Sequence, residues 1–377
     1  MEKKKIYSVV VFLFISIVLV NSVILIGANS ENGGKSIKSI LNNFNNEKYI
    51  DASNQNIDEN DEDSIDKDFL YDGEDGDSDN ENASETMAVQ QARGGVLIEQ
   101  STRRVLLNEN MNARCFPAST TKVLTALVVL NNVPLNRVVT VPKVAEGVEG
   151  SSIYLRAGQK ITVEHLLYGL MLRSGNDSAV ALAVETAGSI EKFALMMNET
   201  AKMLGANNSH FVNPHGLHDD DHYTTAYDLA LITASAYSNS DFVRIVSSKK
   251  AKIEIDGQAS YIGNKNKLLT LYEGANGVKT GYTKKSGRCL VGGAYKNGMQ
   301  LITVVLNYND MWNDTIRMLN YGFENYEMKS VDNSLLDYKN GLKPVEIVRP
   351  FGVSEDWKDF RYPLRSDGSE YLLLKSA

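Results

Sequence analysis

The sequence predicts an α+β fold, with an antiparallel sheet flanked by helices and an all-helical lobe inserted between the strands. Two strand patterns come first, at residues 96–98 and 105–107, and a block of helical patterns follows. Three longer strand patterns, at residues 277–283, 289–295 and 301–308, come late and precede one more helix. Strands, then helices, then strands with a helix are typical of a helix-flanked antiparallel sheet.

The helices are indicated by the spacing of their apolar residues. Segment 120–130 is apolar almost all round, as expected of a helix buried on every side. Further helices are predicted at residues 165–172, 178–187, 192–204 and 226–237. The buried face of the last helix is predicted at Trp312, Ile316, Leu319 and Phe323. Asn297-Gly298 predicts a tight hairpin turn between the last two long strands.

The first 28 residues have the pattern of a signal peptide or a membrane anchor. Lys3, Lys4 and Lys5 precede an apolar stretch that runs to Ala28. Positive residues before an apolar run keep the amino terminus inside and direct the remainder outward. The unbroken apolar core suits a signal peptide, while the whole stretch is long enough to span a bilayer, which slightly favours an uncleaved anchor. The rest of the chain is therefore predicted to be extracytoplasmic.

Residues 29–88 are predicted to be an acidic, disordered linker. Within them, residues 51–85 hold fifteen Asp and Glu against the single cation Lys67. Since residues 1–50 carry a net +3, the chain's net charge of −8 leaves about +3 for residues 86–377. The folded region is close to neutral, so there is no electrostatic case for nucleic-acid binding.

The ordered part of the chain is predicted to divide at residue 330. Residues 89–330 hold the elements described above, and residues 331–377 form a short β-rich segment with strand patterns at 345–348 and 371–374. The chain has two cysteines, Cys115 and Cys289, without metal-ligand spacing. In an exported protein they could form one disulfide, but the sequence does not decide whether they meet.

The first chemical motif is Ser119-Thr120-Thr121-Lys122, at the start of the buried helix. Residues three apart share a helix face, so Lys122 can reach the Ser119 hydroxyl. A serine needs a neighbouring base to become a nucleophile, and a lysine that is partly neutral can serve. The helix amino terminus also offers N–H groups to an oxyanion. The alternative is that Ser119 is a simple N-cap.

The second motif is Ser174-Gly175-Asn176, in a break between two helices. In a catalytic interpretation, the Ser174 hydroxyl passes a proton between Lys122 and a leaving amine. Asn176 would then hydrogen-bond both the lysine and a substrate amide. The structural alternative is helix capping, because Ser174 followed by Asp177 matches the capping-box pattern.

The third motif is Lys279-Thr280-Gly281, on a strand. Lys279 would supply a fixed cation, Thr280 a hydroxyl, and Gly281 room for a ligand to approach the backbone. The structural alternative is an edge strand with an exposed lysine. Each motif is weak alone, but the three in this order and in fitting contexts are a strong signal.

These motifs resemble those of the penicillin-recognising serine D,D-peptidases, and specifically the low-molecular-weight D-alanyl-D-alanine carboxypeptidases. The resemblance runs from about residue 92 to residue 326. It extends to longer signatures around the motifs, at residues 117–122, 172–177, 213–217, 222–226 and 277–283. It implies the fold shared by serine β-lactamases and D,D-peptidases, and a function in peptidoglycan metabolism without a cofactor or metal.

The resemblance also implies roles for individual residues. Ser119 attacks the carbonyl of the penultimate D-alanine of a stem peptide, and Lys122 is the base. Backbone N–H groups of Ser119 and Tyr282 form the oxyanion hole. The terminal carboxylate is held by Lys279, Thr280 and Thr283, and the peptide lies along their strand as an added strand. β-Lactams acylate Ser119 as covalent inhibitors.

Three alternative functions compete with this one. A zinc hydrolase is suggested by His210, His215, His218 and His222, but they lack a helical i, i+4 pair and lie in a loop. A β-lactamase shares the three motifs, but no Glu-x-x-Leu-Asn pattern follows Ser174. A penicillin sensor that stays acylated would need a signalling partner domain.

Many members of the family also carry a β-rich second domain, which is expected to be reduced or truncated here.

Overall fold

The computed structural model of the protein describes residues 93–330, 342–348 and 361–375. The predicted signal or anchor (1–28), the predicted linker (29–88) and parts of the segment 331–377 lie outside the described residues. Within the described ranges, no helix is long and apolar enough to cross a membrane.

The described residues form the helices and main-sheet strands that the sequence predicts, together with further elements that it does not. The strands are β1 (Gly94–Glu99), β2 (Val105–Glu109), β3 (Val138–Thr140), β4 (Lys160–Thr162), β5 (Lys250–Ile255), β6 (Gln258–Gly263), β7 (Ala275–Thr283), β8 (Gly287–Lys296), β9 (Met299–Leu306), β10 (Tyr326–Ser330), β11 (Lys343–Val348), β12 (Arg361–Arg365) and β13 (Glu370–Lys375). The α-helices are α1 (Lys122–Asn132), α2 (Val163–Leu172), α3 (Asn176–Ala187), α4 (Ile190–Met203), α5 (Ala226–Ala236), α6 (Ser240–Val246), α7 (Leu268–Leu271) and α8 (Met311–Asn325).

The main sheet is antiparallel and has the strand order β2-β1-β9-β8-β7. The first two strands of the region therefore pair with the last of the three long strands, and β7 is left at one edge. Asn297 and Gly298, in the turn between β8 and β9, both have positive φ (53° and 77°). This is the backbone of a two-residue type I′ hairpin, as the Asn-Gly pair predicts.

Helices cover both faces of the main sheet. Successive strand residues point to opposite faces. Accordingly Gly292 of β8 faces Thr315 of α8, whereas its neighbour Gly293 faces Tyr237 at the end of α5. The hydrophobic core lies on the α5 side, among the sheet and helices α1 to α6. Within it α1 is buried from Lys122 to Val129, as predicted for a central helix.

The predicted α+β class and helix-flanked antiparallel sheet are confirmed, but the inserted lobe is not all-helical. Between β2 and β7 the chain also forms a second antiparallel sheet of order β3-β4-β5-β6. Strands β3 and β4 have three residues each, too few for an alternating pattern to be recognised. Strand β6 is exposed at almost every position, so it has no apolar face to alternate with.

The buried face of the last helix is also placed differently from the prediction. Leu319 is buried, but Trp312, Ile316 and Phe323 are only half-buried. Gly322, a small residue, packs against the sheet, and an added Cβ there would lie 2.5 Å from a Leu301 methyl group. The buried face therefore combines this glycine with larger side chains, namely Met311, Asp314, Thr315, Met318, Leu319 and Tyr321.

The segment after residue 330 contributes strands, as predicted at residues 345–348 and 371–374. Strand β10 pairs antiparallel with β12, and β11 pairs parallel with β13. Arg104, just before β2, joins this segment to the main sheet through a bidentate ion pair with Glu370 at 2.8 and 2.9 Å.

Candidate active site

Ser119 lies in a short 3-10 helix, Ala118–Thr121, that runs directly into α1. The structure brings Ser119 and Lys122 together, as their spacing predicts, with Nζ of Lys122 2.9 Å from Oγ of Ser119. Two further acceptors complete the surroundings of that amine. They are Oδ1 of Asn176 at 2.7 Å and the carbonyl oxygen of His215 at 2.7 Å.

Lys122 is fully buried, and its surroundings disfavour its charge. Burial is the largest cause that lowers its pKa well below the usual value, and the positive charges of Lys279 and Lys265 lower it further. Asp177 acts in the opposite direction. A neutral amine has two N–H donors and one lone pair. It can therefore donate to Asn176 and to the His215 carbonyl while accepting the proton of Ser119.

The second motif lies in the break between α2 and α3. Asn176 is the first residue of α3, and its Nδ2 donates to the carbonyl oxygen of Glu149 at 2.6 Å, so its Oδ1 is turned towards Lys122. Ser174 has a left-handed backbone (φ 64°) and is almost buried. Among the residues that the structure describes, its hydroxyl has no hydrogen-bond partner, so the structure shows no contact that links it to Lys122.

The capping alternative for Ser174 is wrong. The N-cap position of α3 is Gly175, and it has no side-chain cap. Asp177 instead turns away from Ser174 and accepts hydrogen bonds from the Ser152 hydroxyl and from the backbone N–H groups of Ile153 and Leu155. Its carboxylate therefore holds the loop before β4 against the site.

The third motif lies on β7, which is an edge strand, as the structural alternative expected. Its lysine, however, is not exposed. Lys279 is 1% exposed, and its Nζ donates to the carbonyl oxygen of Thr280 at 2.8 Å. Burial, followed by the charge of Lys265, lowers the pKa of Lys279 to about 7.

Glycine at position 281 has a packing role that the sequence did not predict. It is predicted to give a ligand access to the backbone, and its missing side chain also faces the 3-10 helix that carries Ser119. A Cβ there would lie 3.1 Å from the backbone nitrogens of Ser119 and Thr120 and from the Pro117 carbonyl oxygen. Glycine at this position therefore lets strand β7 approach the start of the 3-10 helix.

The two residues after Gly281 differ in their surroundings. Tyr282 is half exposed (48%). Thr283 is bound into the turn that follows β7, because its Oγ1 lies 2.7 Å from Oγ of Ser286 and accepts from the Ser286 N–H at 2.9 Å. Ser286 is buried and was not predicted as a site residue.

Lys265 and the loop at residues 149–155 were also missed. Nζ of Lys265 lies 3.3 Å from the Ser151 hydroxyl, and its charge acts on both site lysines. The Ser151 carbonyl accepts the backbone N–H of Asn176 at 2.7 Å. None of these residues belongs to a motif of fixed spacing. No signal in the single sequence distinguishes them from ordinary loop residues.

The histidine-rich loop and the cysteines take other roles in the structure. Within the described ranges, no three His, Cys, Asp or Glu side chains are grouped to hold a metal. Nδ1 of His210 lies 2.6 Å from the Asp221 carbonyl oxygen, and His218 pairs with Asp220. Cys115 and Cys289 are buried thiols rather than a disulfide, and burial raises the pKa of each to about 12.

Together these contacts have the features that serine acyl transfer requires. A serine hydroxyl at a helix start, a buried lysine that can take its proton and a second lysine for an anion lie on three elements of one fold. A family model described as D-alanyl-D-alanine carboxypeptidase matches residues 80–310. The chain belongs to this family (peptidase family S11), as its motifs predict.

Named relatives and solved structures agree with this assignment. The chain is 35% identical over 246 residues to the D-alanyl-D-alanine carboxypeptidase DacF of Bacillus subtilis, and the match spans 63% of each protein. It is 31% identical over 304 residues to DacA of Escherichia coli, covering 75% of this chain and 70% of that relative.

The fold is similar to that of solved D,D-peptidases. A structure of the Streptomyces K15 DD-transpeptidase matches with a TM-score of 0.58 and 35% identity, covering 61% of this chain and 96% of the other. A D-alanyl-D-alanine carboxypeptidase from Mycobacterium tuberculosis matches with a TM-score of 0.59 and 31% identity, covering 62% and 91%.

Proposed function

We propose that this protein is a serine-type D-alanyl-D-alanine carboxypeptidase that removes the terminal D-alanine of peptidoglycan stem peptides. The observation that carries the proposal is the set of contacts around Lys122. Its amine touches the Ser119 hydroxyl and two fixed acceptors, in surroundings that lower its pKa. Family membership supplies the substrate class.

In the proposed reaction, neutral Lys122 takes the proton of Ser119 as Oγ attacks the carbonyl carbon of the penultimate D-alanine. The negative charge on the carbonyl oxygen is received by the backbone N–H groups of Ser119 and Tyr282. The proton passes to the leaving amine by way of Ser174, the C–N bond breaks, and D-alanine departs. Water then attacks the ester on Ser119, which restores the hydroxyl and releases the shortened peptide.

Substrate binding is assigned to β7. Lys279 supplies the cation for the terminal carboxylate, with the hydroxyls of Thr280 and Thr283 as further donors. Because β7 is the edge of the main sheet, a stem peptide can add as a further strand through backbone hydrogen bonds. Asn176 lies beside Lys122, where its amide can also bond a substrate peptide group.

The same site explains the expected sensitivity to β-lactams. A β-lactam presents a strained amide carbonyl to Ser119 and a carboxylate to Lys279, so it forms the same ester.

Stem peptides lie outside the cytoplasm, which agrees with the predicted export of the chain. We further propose that an uncleaved N-terminal segment attaches the protein to the membrane. The mature protein should then retain residues 1–28, and finding it cleaved near Ala28 and freely soluble would refute the attachment.

The decisive test is intact mass spectrometry after incubation with benzylpenicillin, followed by peptide mapping. One adduct on Ser119 that persists for minutes is expected, together with release of D-alanine from a peptide ending in D-Ala-D-Ala. Ser119→Ala should abolish both, whereas Ser248→Ala, which alters a hydroxyl at the end of α6, should change neither.

The other outcomes separate the alternatives. Hydrolysed drug without a lasting adduct would indicate a β-lactamase. A lasting adduct without D-alanine release would indicate a penicillin-sensing protein. Recovery of intact drug together with unmodified protein would refute the serine mechanism.

A further inference from the structure

The proposed reaction uses none of the histidine rings in the loop at residues 210–222, yet one of them reaches the helix that carries Ser119. His222 is 2% exposed, and its Nε2 lies 2.8 Å from Oγ1 of Thr121. The ring of Phe211 packs edge-on against it, with 5.5 Å between centroids. A buried polar ring is thus in direct contact with a neighbour of the nucleophile.

The direction of each hydrogen bond follows from its partners. The backbone N–H of Val212 donates to Nδ1 of His222 at 3.1 Å, so Nδ1 carries the lone pair. Burial lowers the pKa of His222 to about 3, so the ring is neutral and its proton is on Nε2. Nε2 therefore donates to Thr121, and the proton of the Thr121 hydroxyl is donated to the Ala118 carbonyl oxygen at 2.8 Å.

That carbonyl belongs to the same rigid peptide unit as the Ser119 N–H. In a planar trans peptide the C=O and the N–H point in opposite directions, so a bond that holds the carbonyl also fixes the N–H. Ala118 has a left-handed backbone (φ 47°), which is uncommon for alanine, so the orientation of this peptide depends on its surroundings. Gly216 packs against the same carbonyl, where an added Cβ would lie 1.8 Å from the oxygen.

We propose that His222 and Thr121 are positioning residues for the oxyanion hole. Their hydrogen bonds orient and polarise the peptide unit whose N–H, on Ser119, receives the negative charge of the tetrahedral intermediate. Hydrogen bonds in a chain strengthen one another, so an amide whose oxygen accepts from a hydroxyl is a better N–H donor. This inference rests on the proposed function, because only there is the Ser119 N–H an oxyanion donor.

Stabilisation of the oxyanion by the Ser119 N–H lowers the energy of the transition state and does not strengthen binding of the substrate. Loss of a complete oxyanion donor typically lowers turnover by about 10²–10³-fold. Removing only its support is expected to slow the acylation step by roughly 10–100-fold while leaving the non-covalent dissociation constant unchanged.

The test measures acylation by benzylpenicillin in a stopped-flow series, which separates the acylation rate constant from the non-covalent dissociation constant. The variants are His222→Leu, Thr121→Val and their combination, with His222→Gln as a rescue, since a glutamine amide can both accept from Val212 and donate to Thr121. His210→Leu is the matched control in the same loop, because its ring bonds the Asp221 carbonyl and not the nucleophile's helix.

The expected result is a slower acylation step in both single variants, with no further loss in the double variant, because the two act in one chain. The glutamine variant should recover to within about threefold of the wild type, because it restores both hydrogen bonds. Three results would each overturn the inference. The first is a double variant whose loss in acylation rate is the product of the two single losses, the second is a change confined to the non-covalent dissociation constant, and the third is acylation at the wild-type rate in Thr121→Val.

If His222→Leu fails to fold, Thr121→Val still decides, because it exchanges one hydroxyl for a methyl group. A wild-type protein that benzylpenicillin does not acylate would refute the proposed function instead.

Discussion

At the scale of single residues, the site is governed by two buried lysines, Lys122 and Lys279, whose amines contact no carboxylate among the residues that the structure describes. Burial and then the charge of Lys279 lower the pKa of Lys122 well below its usual value. Burial and then the charge of Lys265 lower the pKa of Lys279 to about 7. The two proposed roles need opposite charge states. Lys122 must be neutral to accept a proton, and Lys279 must be charged to hold a carboxylate.

A pH dependence follows from Lys279. It loses its proton as the pH rises through about 7 in the free protein, so the second-order acylation constant for benzylpenicillin should fall above that pH. Lys265→Gln removes a charge that lowers the pKa of Lys279, and should therefore move this limb to higher pH. Lys267→Gln, an exposed neighbour, is the control and should leave the profile unchanged.

The measurement is the acylation constant between pH 5 and pH 10, together with thermal stability at each pH. A profile without an alkaline limb, or a limb that stays in place in Lys265→Gln, would contradict the assigned role of Lys279.

Asp177 gives a prediction about stability. Its buried carboxylate accepts hydrogen bonds from the backbone N–H groups of Ile153 and Leu155, at 3.1 and 3.0 Å. Asp177→Ala would leave both donors without an acceptor, and at ~1–3 kcal/mol for each buried group we expect unfolding to become easier by about 3 kcal/mol. Urea denaturation measures this change.

Asp241→Ala is the comparison for Asp177→Ala. Its carboxylate pairs with Arg244, and both side chains are 43% exposed. Such pairs contribute ~0–1 kcal/mol, so the change should be small. Equal losses in the two variants would show that the loop does not depend on Asp177.

At the scale of elements, the site depends on how closely β7 approaches the 3-10 helix that carries Ser119. Gly281→Ala would bring a Cβ to 3.1 Å from the Ser119 nitrogen, so strand or helix must shift. A misplacement of about 1 Å at a reacting group can cost on the order of 10²-fold in rate, so even a smaller shift should slow the reaction measurably, and overpacking costs ~1–3 kcal/mol of stability. We therefore expect acylation to fall much more than the free energy of unfolding.

The control for this element is Gly263→Ala in β6, where an added Cβ meets nothing within 4 Å. It should acylate at the wild-type rate. Near-normal acylation by Gly281→Ala would mean that the close approach is not needed for the reaction.

The sequence is sufficient to predict those elements whose pattern depends only on residues close together along the chain. The apolar helix at 120–130, the Asn-Gly hairpin and the spacing of Ser119 and Lys122 were all predicted, because each depends on neighbours along the chain. Lys265 and the roles of Gly281 and His222 depend on contacts between distant segments. A single sequence carries no spacing that reveals such contacts, which is why the sequence alone suggests a metal ligand at His222.

At the scale of the whole molecule, the described strands after residue 330 are tied to the main sheet at Arg104. Its guanidinium pairs with Glu370, lies over the rings of Tyr326 and Tyr362, and donates to the Pro363 carbonyl. The two charged side chains are only 13% and 7% exposed. The pair therefore acts as a buried link between segments that are far apart in sequence.

Glu370→Ala should loosen this attachment without affecting the chemistry. Removing one partner of a buried ion pair leaves the other charge uncompensated, which costs about 3–5 kcal/mol. We expect faster amide hydrogen exchange in β12 and β13 and a lower melting temperature, with acylation by benzylpenicillin unchanged, because Ser119 and Lys122 are held by other elements. Glu327→Ala breaks the exposed pair with Lys329 and should change stability by less than ~1 kcal/mol. Slower acylation in Glu370→Ala would show instead that the C-terminal strands support the site, and protection unchanged in β12 and β13 would show that other contacts hold them.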